Sequence, residues 1–378
     1  MRRILGVVSY YVSNSAQDLY PELHDTEFIK VPMSDYQFSK YVETRSDERK
    51  QESSGRFKKI SDDGSAPGQV YRAFSRASCN YVFPEKIDRP FPSKLKLLNL
   101  EIDKDELDDD GLGDETKKEK LKTTEINDYS QLLKEAMDKL EDKKEFYFIG
   151  NELEKCGPKF ARLSENVDKS PGSILIYSQF RTVEGLGICS LVLKAKGYSE
   201  FKLKKNDDGE YVIDIDEDDL DKPKYAFFTG DKEVTGLIIK IFNSEFDSLP
   251  QSLLESLKPL LDKYKDTLHG DIIKCLFITQ SGAEGISLQN VRQVHILEPY
   301  WNAIRTEQVI GRAVRTCSHQ RLNKEERNVK VFMYCSVFTE MQLEKEFSIR
   351  RLDKGRTTDE NISAIAAKKS KITQGILD

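Results

Sequence analysis

The sequence predicts an α/β chain: a doubly wound parallel-sheet lobe of about 170 residues, a normal domain size, preceded by a mixed, mainly helical region. Two observations carry this prediction. After Pro171-Gly172 short apolar runs alternate with helical patterns, as in a parallel sheet covered on both faces. Before that point apolar residues recur at helical spacing or sit among turn signals, with no such alternation.

From the amino end, the spacing predicts a short strand near 4–11 and a helix near 34–52, with Ser34 or Asp35 placed to accept from its first free N–H groups. Turn signals follow at Ser65-Ala66-Pro67-Gly68 and near Pro84, Pro90 and Pro92. Residues 101–122 are dense in Asp, Glu and Lys, bury nothing and read as a solvated loop. Asp114-Glu115-Thr116-Lys117 has the look of an acidic metal-binding box, but no buried strand precedes it. Residues 123–168 read as helical, with Leu132, Leu133, Ala136 and Leu140 sharing a face; a further helix at 158–168 carries Phe160 and Leu163. The alternating part then runs strand 173–177, helix 183–196, strand 225–228, helix 234–242, strand 274–279, strand 291–297, helix 302–314 and strand 329–335. Residues 206–221 interrupt it as an acidic insertion, and the tail after about Arg351 is basic and polar and is expected to be mobile.

Composition bounds the function. An apolar share of 38%, a charged share of 33% and a net charge of -6 exclude a wholesale basic nucleic-acid binder, but leave room for a locally basic groove. No apolar run approaches the ~20 residues of a membrane span. The apolar run that follows the N-terminal basic residues is broken at Ser9, Tyr10 and Tyr11, too early for a signal peptide. Cys79, Cys156, Cys189, Cys275, Cys317 and Cys335 form no CxxC pair, so neither a zinc site nor a disulfide framework is expected, and no metal ligand is assigned.

The sharpest chemical signal is Gln308-Val309-Ile310-Gly311-Arg312-Ala313-Val314-Arg315. On a helix Gln308, Gly311, Arg312 and Arg315 fall three or four apart, so two guanidiniums could grip one polyanion in a fork. Glycine at 311 lets a ligand come close to the backbone. A solvated helix face would give a lone GRxxR too, but three strand ends supply context. Thr279-Gln280-Ser281-Gly282-Ala283-Glu284-Gly285 follows one apolar run, Ser178-Gln179 ends another, and Thr229-Gly230-Asp231 a third. Strand ends are where open α/β sheets place ligands.

The four boxes in this order resemble motifs IV, IVa, V and VI of superfamily 2 helicases, and Trp301-Asn302 with QxxGRxxR resembles the Snf2-type signature, except that Ala303 stands where that family usually has proline. LGVVSYY (5–11), VYRAFSRASCNYVFP (70–84), GPKFARL (157–163), ILIYSQFRTVEGL (174–186) and GRAVRTCSHQRL (311–322) resemble the helicase-related ATPases of nucleocytoplasmic large DNA viruses, of the nucleoside triphosphatase I and early transcription factor types. The resemblance implies a RecA-like C-terminal lobe at 157–345, a bridging or insertion region at 1–156 and a polar tail at 346–378.

It implies further that Arg312 and Arg315, with Gln308, are catalytic, and that Gly285, Glu284 and Gly311 border ATP. Ser178, Gln179, Thr229, Gly230, Thr279, Gln280 and Ser281 would face the backbone of DNA or RNA; Trp301 packs the strand-to-helix turn. Mg²⁺ would be held mainly by an N-terminal lobe. No GxxxxGK followed by Ser or Thr occurs, and Met1 falls where related proteins are past their first lobe, so that lobe is expected in cis or trans as an obligate partner, with little ATP hydrolysis without it. The expected setting is viral transcription or genome processing, in the infected-cell cytoplasm or virion, alongside viral transcription machinery and without a membrane. The rival is a non-catalytic nucleic-acid-binding or transcription-factor module that keeps the fold. A dinucleotide oxidoreductase is disfavoured, because no GxGxxG follows a first strand.

Overall fold

A computed structural model describes residues 19–53, 72–90, 123–228, 230–264, 266–280 and 285–377. The expectations at 4–11, 65–68, Pro92 and 101–122 lie outside the described residues. The elements run β1 (Glu22–Leu23), β2 (Glu27–Pro32), α1 (Asp35–Ser53), α2 (Ala73–Asn80), α3 (Thr123–Glu141), α4 (Lys144–Tyr147), α5 (Asn151–Cys156) and α6 (Pro158–Asp168). They continue with β3 (Ser173–Tyr177), α7 (Ile188–Ala195), β4 (Ser199–Glu200), β5 (Leu203–Lys205), β6 (Tyr211–Ile213), β7 (Lys224–Phe227), α8 (Lys232–Phe242), α9 (Gln251–Leu261), β8 (Cys275–Ile278) and β9 (Val291–Ile296). Last come α10 (Ala303–Ala313), β10 (Asn328–Val337), α11 (Glu340–Lys345), α12 (Phe347–Leu352) and α13 (Thr358–Leu377).

The main sheet is parallel throughout, ordered β1-β10-β9-β3-β8-β7-β4, with β2 also on β10. β3, β8 and β9 are buried along their whole length, which is why they read as unbroken apolar runs. Alternate residues of β3 serve opposite cores. Ile174 and Ile176 pack with Phe160, Leu163 and Leu191, whereas Leu175 and Tyr177 pack with Leu237, Ile241, Leu257 and Val309. Helices therefore cover both faces, as expected of a RecA-like lobe. Tyr177 is in register with both Ile278 and Ile296, so the ends of the three central strands lie side by side.

Several local expectations change. On α3 the buried stripe is Leu133, Ala136, Met137 and Leu140; the 3.6-residue period carries Leu132 off its edge, and that side chain is exposed. The acidic insertion folds as the antiparallel hairpin β5–β6, which lays Tyr211 into the second core. The tail expected to be mobile is helical as α13, and it is anchored. Thr357, Thr358, Asp359 and Ile362 are all buried at its start. Asp353 and Asp359 looked solvated because their partners Arg45 and Lys159 lie 308 and 200 residues away. β1 and β2 come from the region before residue 157, and β2 runs beside β10 from Glu27↔Phe332 to Pro32↔Val337. That region also contributes Val31, Tyr81 and Phe83 to the first core.

Candidate functional site

α10 begins where Asn302 turns its side-chain oxygen back onto the Ile304 N–H at 3.1 Å. It ends at Ala313, and Val314 has left helical geometry. The expectation of one helical face from Gln308 to Arg315 therefore holds only as far as Arg312. Arg315 lies beyond the end and folds back, its Nε donating to the Gly311 carbonyl at 3.2 Å. That bond satisfies one of the carbonyls a helix leaves unpaired at its C-terminus. Arg312 donates from Nη1 to the Ile286 carbonyl at 3.4 Å, and its own carbonyl accepts from Leu288 N–H at 3.1 Å. The chain just after Gly285 is thereby laced to the arginine segment. Both arginines are half-buried and Gln308 is exposed. Among the described residues, a Cβ added to Gly311 or Gly285 would meet nothing within 4 Å, so both glycines border open space there. Gly285 also has φ +73°, the left-handed region that glycine adopts without strain.

The strand ends behave differently. Ser178 and Gln179, expected beside a nucleic-acid backbone, are turned inward in this structure. They are buried, because Glu298, one residue beyond the Leu297 that follows β9, claims them. The Ser178 hydroxyl donates to Glu298 Oε1 at 2.9 Å, the Gln179 backbone N–H donates to the same oxygen, and the Gln179 side-chain oxygen accepts from Arg76. Thr279 and Gln280 are also buried at the end of β8; Gln280 Oε1 has no hydrogen-bond donor among the described residues. Gly230 is exposed beside open space, and Asp231 caps α8 by accepting from Glu233 and Val234 N–H. Thr229, Ser281 and Glu284 lie outside the described residues. Trp301, expected to pack the turn, tilts against Tyr300 and carries Lys369 Nζ of α13 4.3 Å from its ring centroid.

Sequence reasoning missed the group at the centre of this region. Glu298 Oε2 accepts from Asn80 Nδ2 at 3.1 Å; Asn80 Oδ1 accepts from Lys159 Nζ at 2.8 Å; Lys159 Nζ pairs with Asp359 Oδ2 at 2.7 Å. All are buried. Burial pushes the Glu298 carboxyl above the usual carboxylate range, against the pull of Lys159 and of the hydrogen bonds from Gln179 and Ser178. Burial works to lower Lys159, but the Asp359 carboxylate outweighs it and holds the ammonium above its ordinary value. One signal was readable: Lys159 sits on the apolar face of α6, one turn from Leu163, where a solvated lysine does not belong.

The family model of the helicase conserved C-terminal domain matches residues 256–317, from inside α9 to just past α10. Over that stretch the lobe is similar to the C-terminal domains of superfamily 2 helicases. Gly285, Gln308, Gly311, Arg312 and Arg315 all fall within the match. The chain also has distant viral relatives. R350 of Acanthamoeba polyphaga mimivirus, named as an ATP-dependent RNA helicase, is 27% identical over 420 residues, covering 100% of this chain and 45% of that protein. The termination factor NPH-I homolog of African swine fever virus is 29% identical over 345 residues, covering 89% and 43%. Nucleoside triphosphatase I of Melanoplus sanguinipes entomopoxvirus is 33% identical over 110 residues, covering 29% and 17%. The chain thus spans under half the length of the first two. Among the described residues no helix is long and apolar enough to cross a membrane.

Proposed function

We propose that this chain is the finger-bearing half of an ATP-driven nucleic-acid motor whose P-loop half is a separate lobe, in cis or in trans. The observation that carries the reading is the open surface at Gly311 and Gly285, with Arg312 joining the two segments through the Ile286 carbonyl. These residues fit one side of a nucleoside triphosphate. The bare backbone admits a phosphate, and a guanidinium offers its donors in a fork that matches phosphate oxygens. Arg315 makes its internal bond through Nε, so the terminal nitrogens of its fork are not spent in that contact. Mg·ATP, when bound, supplies the phosphoryl group that is transferred. On this side Arg312 and Arg315 neutralise charge on it, while Gln308, exposed on α10, orients the neighbouring polar groups. Mg²⁺ belongs mainly to the other lobe, while Glu284 and Gly285 border the nucleotide from this one.

Gly230, Thr279 and Gln280, at the ends of β7 and β8, are the proposed contacts to DNA or RNA, with Thr229 and Ser281 beside them in the chain. Short polar groups at such ends hold phosphates without reading sequence. The names of the relatives, a termination factor and an RNA helicase among them, favour viral transcription as the setting. The infected-cell cytoplasm or the virion is where such work would take place.

The test is nucleic-acid-stimulated ATP hydrolysis by this chain mixed with a P-loop lobe from the same source. Turnover should appear only in the mixture, and Arg312→Ala or Arg315→Ala should lower it by roughly 10³-fold or more, the scale of arginine fingers in nucleotide hydrolases. A mixture that binds nucleic acid in a salt-dependent way but ignores ATP would replace this reading with the non-catalytic binding module.

A further inference from the structure

We propose that Glu298 is a positioning residue for the arginine helix, and that the C-terminal helix α13 sets its position through Asp359, Lys159 and Asn80. Glu298 stands between β9 and α10, in the turn that decides how α10 leaves the sheet. Oε1 holds the end of β3 through Ser178 and Gln179; Oε2 holds the end of α2 through Asn80. Asn80 passes the contact to Lys159 at the start of α6, and Lys159 passes it to Asp359 at the start of α13. Asp359 Oδ2 also accepts from the Ser336 N–H of β10 at 3.0 Å, which ties α13 to the sheet.

A buried charged network of this kind is seldom worth more than apolar packing of the same volume; its best-attested use is to select one arrangement among several. Here the arrangement selected is the junction of β3, β9, α2, α6 and α13. A second link repeats the geometry. Lys369, further along α13, lies over Trp301 in the same turn. One helix therefore touches the approach to α10 twice, once through the buried network and once through a cation over an indole. α13 lies wholly outside the stretch that matches the helicase family. The assignment of α10 as the ATP-facing element rests on the proposed function; the coupling of α13 to α10 does not.

Amide hydrogen exchange of the full chain decides the coupling. Glu298→Gln keeps an acceptor for Ser178 and Gln179, but obliges the Asn80 amide to turn and take its oxygen off Lys159. Lys369→Ala cuts the second link at a partly exposed position, so it should fold even if the first variant does not. In both, exchange of residues 299–313 should quicken roughly 3- to 30-fold, the range of coupling energies along packed networks, while β3 and β8 stay protected. Unchanged exchange in α10, or a uniform rise across the sheet, overturns the inference. In the mixed ATPase assay the same variants should lower kcat by a similar factor and leave KM for ATP within about twofold, as expected when orientation rather than binding is lost. If Arg312→Ala proves silent in that assay, the motor reading falls, and the exchange result still judges the coupling.

Discussion

His295 shows how a single side chain in the central strand ties stability to pH. It is buried in β9 between Gln293 and Tyr334, with Nδ1 2.9 Å from the Tyr334 hydroxyl and Nε2 3.0 Å from Gln293 Oε1, and it stacks on Phe332. Burial pulls its pKa down from 6.5 to about 3. The folded chain thus takes up this proton less readily than the unfolded one. Stability from the neutral ring is complete above pH 6.5 and drains away as pH falls from there toward about 3. By pH 5 the loss should be on the order of 2 kcal/mol. Denaturant melts at pH 7.5 and pH 5 should show the gap between wild type and His295→Phe narrowing by about that amount; a constant gap would mean that the ring titrates normally. At this scale, what the sequence made legible was whatever is local. Gln308, Gly311 and Arg312 are neighbours along one segment, so their spacing sufficed. The burial of Ser178 and Gln179 was not legible, because their partner, Glu298, is 120 and 119 residues away, and no pattern in a single sequence announces such a pairing.

Element by element, the buried strands were the easiest to read and the edges the hardest. β3, β8 and β9 are apolar from end to end, and α6 was placed to the residue because Pro158 opens it and its apolar face repeats. β2, Glu-Phe-Ile-Lys-Val-Pro, buries only Val31 fully and ends on a proline, the composition of a strand at the margin of a sheet. α9 escaped notice because it carries Pro259 inside it, a residue that normally signals a break. α10 ends two residues before Arg315, so the spacing of QxxGRxxR described a helix and a turn together. Its start can be tested. Asn302→Ala removes the cap on the Ile304 N–H and should cost about 1 kcal/mol, measured by urea melts, with Asn302→Asp restoring most of the loss. If Asn302→Ala matched wild type, water would be satisfying that N–H equally well, and the cap would not be what starts α10.

Across the whole molecule, two buried carboxylates tie the C-terminal part of the described chain to its amino-terminal part and to its middle. Asp353 is gripped by Arg45 at 3.2 Å and Arg72 at 3.0 Å, and Asp359 by Lys159. A chain cut before Thr357 would strip the buried Lys159 ammonium of its Asp359 partner, a loss of roughly 3–5 kcal/mol. The truncated protein should melt well below the full chain, and Lys159→Met in the truncated background should recover part of the difference. No recovery would show that α13 holds the fold by packing rather than by charge. The pairing of β2 with β10 has a consequence for synthesis. A ribosome makes Val31 some three hundred residues before Ser336, its partner in the register, and Tyr41 317 residues before Thr358, with which its hydroxyl bonds. Throughout that interval the amino-terminal segment has no sheet to join. At about 5–20 residues per second the wait lasts from roughly a quarter of a minute to a minute. On a ribosome, β2 therefore stays without its partner strand until β10 has been made.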